Sequence, residues 1–209
     1  VLVYALKALD AAGVLRDTRI TVMLTGDEET AGRPLEISRR DMVAAAKNAD
    51  LALSFESAAG NRATVGRRGS SNWSMEVTGR TGHSAGIFRD EAGAGAIFEA
   101  ARILDRFYEA LHKEKYLTFN PSVIVGGTQA ALNVTNGIAS GKTNVIPAKV
   151  MIVGDLRFIS EQQKEAARAK MRDIVAHSLP GTAAKITFED RYPAMTPNDG
   201  NYQLLKQLD

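Results

Sequence analysis

Hydrophobic and polar positions fall into two textures along the chain, and the change comes near Gly60 and Asn61. In the first part, Leu2, Ala5, Leu6 and Leu9 recur at helical spacing, and Gly13 stands where a helix C-cap is expected. The apolar runs at 20–24 and 51–55 predict short buried strands. Between them Ser38, with Asp41 three positions on, predicts a capped helix through about Lys47. Helix, strand, helix, strand implies an α/β layer with a parallel sheet. In the second part, 73–78 alternates as a half-buried strand does. A helix is predicted over about 90–112, with Ile97, Ala101, Leu104, Tyr108 and Leu111 on its apolar face. Residues 121–125 predict a strand stopped by Gly126 and Gly127, and 149–158 predict another. Ser160 caps a helix to about His177, and 185–189 closes the set. That order predicts an α+β unit: a four-stranded antiparallel sheet with two helices on one face, a ferredoxin-like arrangement. Residues 191–197 read as a linker back to the first domain.

Composition narrows the classes. The 209 residues can form one sizeable core or two small ones, and 44% hydrophobic with 24% charged residues is an ordinary balance for a soluble protein. The net charge is +2 with both signs interspersed, and the basic cluster Arg62, Arg67 and Arg68 lacks flanking aromatics. A nucleic-acid partner is therefore not expected. No apolar run approaches the length of a membrane span and no signal peptide is visible, so no membrane partner is expected either. The absence of cysteine excludes disulfides, thiolate catalysis and thiolate zinc sites, and leaves the compartment open. Residue 1 is Val rather than Met, it already opens onto a helical pattern, and 201–209 resembles a helix barely begun. The expectation is an internal piece of a longer protein.

Four groups of residues could carry chemistry. Asp27, Glu28 and Glu29 follow the first predicted strand, and ligands of open α/β sheets bind beyond the carboxyl ends of strands. Adjacent carboxylates repel one another, which favours a cation, although a solvated acidic turn is the plain alternative. Glu56 ends the second predicted strand, one helix and one strand later, and could reach the same crevice. His83 lies in a glycine-rich bend, Gly82-His83-Ser84-Ala85-Gly86, whose small neighbours admit a ligand, or it is simply a loop histidine. His112 and His177 come late in predicted helices, where dipole interaction suffices to explain them. Asn144, in Thr143-Asn144-Val145-Ile146-Pro147, could hydrogen-bond a developing oxyanion. Arg157, in Gly154-Asp155-Leu156-Arg157, offers a fork for a carboxylate. Asp155 shares its strand face and could instead be its partner.

In this order the four groups resemble the zinc metallopeptidase and deacylase family of glutamate carboxypeptidase, aminoacylase, acetylornithine deacetylase and succinyl-diaminopimelate desuccinylase. The resemblance covers essentially the whole chain. It is closest to the carboxypeptidase-like branch, because Leu53-Ser54-Phe55-Glu56 ends in Glu rather than Asp. It implies a dinuclear-metal hydrolase with two Zn²⁺ or other divalent ions, acting on an amide bond of an N-acyl amino acid or short peptide with a free carboxylate. By position, Glu28 looks like the general base, and Glu29 and Glu56 like ligands of different metals. His83 looks like the histidine that reaches across a homodimer to the partner's active site. Asn144 and Arg157 look like substrate-binding groups, Arg157 for the carboxylate. The implied architecture is a partial metal-binding α/β domain at 1–62 and 190–209, with the dimerisation domain inserted at 63–189. The dimer contacts expected are the helix at about 90–112 and an edge strand near 73–78.

The family's His-x-Asp motif, its bridging aspartate and its final histidine ligand have no counterpart here. The chain thus offers two of five expected ligands and alone is expected to be inactive. The Gly/Ser/Asn-rich segment 136–142 lengthens a predicted hairpin just before Asn144. Two rivals fit the same residues: a non-catalytic dimerisation or ligand-binding module, and an exopeptidase acting on dipeptides. The Asp-Glu-Glu cluster after an apolar run argues against the first, because a pure binding module has no need of it.

Overall fold

A computed structural model describes residues 1–30, 32–56, 60, 62–133 and 136–207. The chain divides into two compact units, 1–60 and 61–209.

The first unit carries helix α1 (Leu2–Ala11), a single turn α2 (Leu35–Ser38) and α3 (Arg40–Lys47). Gly13, at φ 74°, closes α1 as expected, with its N–H on Asp10 O and that of Val14 on Leu9 O. Ser38 does not cap α3. It ends α2, and the residue before α3 is Arg39, which makes no side-chain cap bond. The predicted strands at 20–24 and 51–55 do not form. A strand is stabilised by a neighbour that accepts its hydrogen bonds, and neither run has one among the described residues. Leu24 is 89% exposed and Phe55 70%.

In the second unit the predicted order is met. Strands β1 (Gly69–Gly79), β2 (Thr118–Gly127), β5 (Lys149–Phe158) and β6 (Thr182–Asp190) make a sheet ordered β2-β5-β1-β6, every neighbouring pair antiparallel. Helices α4 (Ala96–Leu111) and α5 (Glu161–Ala176) pack on it, α5 capped by the Ser160 hydroxyl, which accepts from Gln163 N–H at 3.1 Å. A short hairpin, β3 (Gln129–Leu132) and β4 (Gly137–Ser140), leaves the end of β2, and α6 (Asp199–Leu205) follows the sheet. Gly126 and Gly127 belong to β2 rather than stopping it.

Alternation decides the core. Trp73, Met75 and Val77 of β1 stand opposite Gly154, Ile152 and Val150 of β5, and all point to the helices. Gly154 is required there, since a Cβ would run into the Asn120 carbonyl and the Trp73 ring. The indole fills that space, donates Nε1–H to Asp155 O at 3.1 Å and meets Phe107 edge-on at 6.2 Å. Helix α5 reaches the core through a salt-bridged face. Arg168 donates to Ser71 Oγ at 2.6 Å and pairs with Asp190, which Lys164 also meets at 3.1 Å.

Three expectations change here. The buried face of α4 is Ala96, Glu99, Ala100, Ile103, Phe107 and Leu111, while Ile97, Ala101 and Tyr108 are exposed. The helix carries two apolar rows, and the row with small residues wins the sheet because it allows close approach: a Cβ on Gly79 would meet Ala96 N at 2.7 Å. The buried carboxylate of Glu99 is matched by the Arg102 fork, at 2.8 and 3.0 Å, and by Leu179 N–H at 3.0 Å. The helix also starts at Ala96, not 90, because Gly93 (φ 73°) and Gly95 (φ 80°) break the turns before it. Residues 73–78 are not an edge: β1 is central, and the edges are β2 and β6. Pro121 suits such an edge, having no N–H to give a ladder, and it adjoins a register shift in β2.

Candidate functional site

Past the end of β1 the chain crosses the segment that leads into β5. Ser84 N–H reaches Asn144 O at 2.9 Å, Ile146 N–H reaches Gly82 O at 2.8 Å, and His83 pairs with Val145 in an antiparallel bridge. Thr81 Oγ1 adds a bond to Ile146 O at 3.0 Å. His83 and Asn144, 61 positions apart by their numbers, are thereby held on adjoining segments, both exposed. The His83 ring caps the 3₁₀ turn Ser84–Gly86: its Nδ1 accepts Ala85 N–H at 3.2 Å. With Nδ1 accepting, the neutral imidazole carries its proton on Nε2, which leaves one N–H donor for a ligand. A cavity of about 410 Å³ opens beside the ring, and Arg89 and Glu91 also line it. A second hollow, about 350 Å³, lies between the end of β2, the β3–β4 hairpin and the Thr143–Val145 stretch.

Arg157 is elsewhere. On β5 it stands opposite Ser70 and Thr118, whereas Lys149, at the other end of the strand, stands opposite Thr78 and Gly127. Eight residues of extended chain put roughly 25 Å between Arg157 and the His83 end of the sheet. Its Nε donates to Asp155 Oδ2 at 2.8 Å and half of the side chain remains exposed.

In the first unit the three acidic residues divide. Asp27 is held by Arg39, whose Nη1 meets its two carboxylate oxygens at 2.9 and 2.7 Å. The bond to that guanidinium keeps Asp27 below its ordinary range, helped by Gly32 N–H. Glu28 and Glu29 are exposed in the turn that follows, and Glu56 is exposed at the end of the 51–56 stretch. Among the described residues, no three His, Asp or Glu side chains gather into a set that could hold a metal ion.

Three side chains had escaped the sequence reading. Arg39 neutralises the aspartate of the acidic cluster, and Arg89 and Glu91 share the cavity with His83. The last two had a visible signal: opposite charges two positions apart in the same glycine-rich bend.

The fold and the His83–Asn144 crossing define a known class of domain. Residues 65–183 match the peptidase dimerisation domain, and the chain belongs to that family. Over 209 residues it is 28% identical to carboxypeptidase G2 of Pseudomonas sp. (strain RS-16), covering 98% of this chain and 46% of that protein. Over 190 residues it is 29% identical to succinyl-diaminopimelate desuccinylase of Dinoroseobacter shibae, covering 88% of this chain and 48% of the other. The chain spans about half the length of these curated relatives. Among solved structures, a tripeptidase from Staphylococcus aureus shares the fold with a TM-score of 0.50 at 20% identity, over 69% of this chain and 36% of the other. A hydantoinase/carbamoylase-family amidase from Burkholderia multivorans shares it with a TM-score of 0.51 at 16% identity, over 68% and 32%.

Proposed function

We propose that this chain is part of a metal-dependent hydrolase that cleaves an amide bond of an N-acyl amino acid or short peptide bearing a free carboxylate. The observation that carries the reading is the backbone ladder joining the His83 segment to the Asn144 segment within a peptidase dimerisation domain. Two hydrogen-bond donors side by side suit an amide carbonyl whose oxygen becomes an oxyanion. Glu28 would take the proton of the attacking water and return it to the leaving amine. Glu29 and Glu56 would each give a carboxylate to one of two divalent ions. Two carboxylates do not by themselves fit a closed site, since zinc takes three or four protein ligands. The remaining donors would come from outside the described residues.

The ferredoxin-like order of the sheet also suits a site shared across a homodimer. Strand β2 is an open edge, and beside it Ile97, Ala101 and Tyr108 on the outer face of α4 are exposed, Ile97 by 48% and Tyr108 by 55%. Ile124 of β2 adds a further 54%-exposed side chain. A two-fold axis at this edge would pair β2 with its copy antiparallel. The Arg157 end of one sheet would then lie next to the His83 end of the other, so the two ends separated within one chain become neighbours between chains. Arg157 would hold the substrate carboxylate, while His83 and Asn144 of the partner would meet the scissile carbonyl.

The test separates the paired glutamates in the complete enzyme. Glu28→Gln is expected to lower kcat by at least ~10²-fold, the scale of general-base catalysis, with metal content unchanged. Glu29→Gln is expected to lose metal. Exchange of the two phenotypes, or full activity in Glu28→Gln, would overturn the assignment.

A further inference from the structure

The cavity beside His83 contains one unengaged charge of each sign. Arg89 and Glu91 both line it, and among the described residues neither side chain has a hydrogen bond or ion pair, with each other or with anything else. The loop that presents them is nonetheless firmly held. Arg80 Nη1 donates to the carbonyls of Asp90 and Glu91 at 3.1 and 3.0 Å. Gly93 lies so close to the Pro180 carbonyl that a Cβ would run into it, and Ala94 N–H bonds that same carbonyl at 3.0 Å. Phe88, at φ 73°, closes the loop through its N–H to Gly93 O at 3.0 Å and packs its ring 5.5 Å from Phe98. A bulky residue adopts that conformation only where its surroundings impose it.

We propose that this cavity receives the free amino acid that cleavage releases, its carboxylate on the Arg89 guanidinium and its ammonium on Glu91, next to His83. The proposal rests on the reading of His83 as a substrate-site residue. Charge pattern selects the class. A simple anion would bond Arg89 but face the Glu91 carboxylate, and a simple cation would face Arg89. A head group with both charges on one carbon satisfies the two at once and fits between side chains that do not touch each other. The cavity's volume lies within the range of small-molecule sites.

The test needs no turnover. The chain has three histidines, so the His83 ring proton can be followed by NMR and identified by its loss in His83→Gln. Titration with glycine should move that signal saturably. Acetate and methylammonium should each bind at least ~10-fold more weakly, because each makes one of two charge-assisted contacts. Arg89→Ala and Glu91→Ala should each weaken glycine by at least ~10-fold, and Arg89→Lys should recover part of the loss. The proposal is overturned if glycine leaves the His83 signal unmoved, if acetate binds as tightly as glycine, or if either alanine variant binds glycine as the wild type does. Full activity in Glu28→Gln would remove the hydrolase reading and leave this titration intact, so the two failures are distinguishable.

Discussion

Residues 1–60 and residues 61–209 were written with similar apolar vocabulary and came out differently. The 20–24 run and the 121–125 run are both short and apolar. The second lies in β2 and pairs with β5 on both sides of a register shift at Pro121–Val123, and the first is unpaired chain with Leu24 exposed. No described residue of 1–60 is buried, whereas the sheet and its helices bury Trp73, Phe107, Phe158 and their neighbours in one core. Apolar content is thus a statement of demand for partners, and alternation along β1 and β5 is what supplied them. The candidate residues are split as well: the exposed Glu28, Glu29 and Glu56 belong to residues 1–60, and His83 and Asn144 to the sheet unit.

The sharpest way to break this contrast is to delete the same side chain from both units. Phe107 is fully buried against Trp73, while Phe55 is 70% exposed. Phe107→Ala should destabilise the sheet unit by about 3–5 kcal/mol and Phe55→Ala by less than about 0.5 kcal/mol in urea unfolding. Comparable losses would mean that the first unit has a core of its own.

A smaller effect sharpens the division of chemistry. Arg157 is either a binding group or the strand partner of Asp155. Arg157→Ala should lower kcat/KM of the complete enzyme roughly 10- to 150-fold on an N-acyl amino acid, from about 1.5–3 kcal/mol for a hydrogen bond to a charged group. Lys should recover part of it. The matching N-acyl amino acid amide, with no carboxylate, should be a poor substrate that is little affected. Equal losses on both would mark Arg157 as structural.

The smallest effect tests the salt-bridged face of α5. Burial pushes the Asp190 carboxyl up, but the hydrogen bonds and charges of Arg168 and Lys164 together bring it below its ordinary 3.8. A lowered folded pKa means that the stabilisation is present above about pH 4 and disappears as pH falls through the folded value. Asp190 is 62% exposed, so solvent screening holds the effect to within about 1 kcal/mol. Asp190→Asn should melt below the wild type at pH 7, and the two curves should converge in strong acid. A gap of the same size at both pH values would remove the electrostatic explanation.

What was legible in the sequence follows the same line. The sheet could be read because β1, β5 and β6 alternate and Ser160 announces α5, and each of those is a local signal. The face of α4 could not be read, because Ile97, Ala101, Leu104 and Tyr108 form as regular a row as Ala96, Ala100, Ile103 and Phe107. The choice was made by Gly79 and by the Arg102–Glu99 pair, which lie elsewhere in the chain or look like surface charge. The resemblance singled out His83 and Asn144 separately, and the crossing that joins them is a long-range pairing with no local mark. Glu28, Glu29 and Glu56 were picked out by position after apolar runs, and those runs are not strands here.

The two segments that flank the sheet, before β1 and after β6, meet at one place. Arg67 and Met195 exchange backbone hydrogen bonds at 2.9 Å in both directions, Ser70 N–H bonds Tyr192 O at 2.8 Å, and Gly66 is pressed against Pro197. Entry and exit are therefore about 5 Å apart, the spacing of neighbouring strands. A module whose two ends meet so closely can be removed from a host protein and its gap closed by a short turn, or it can be exchanged for another of the same footing.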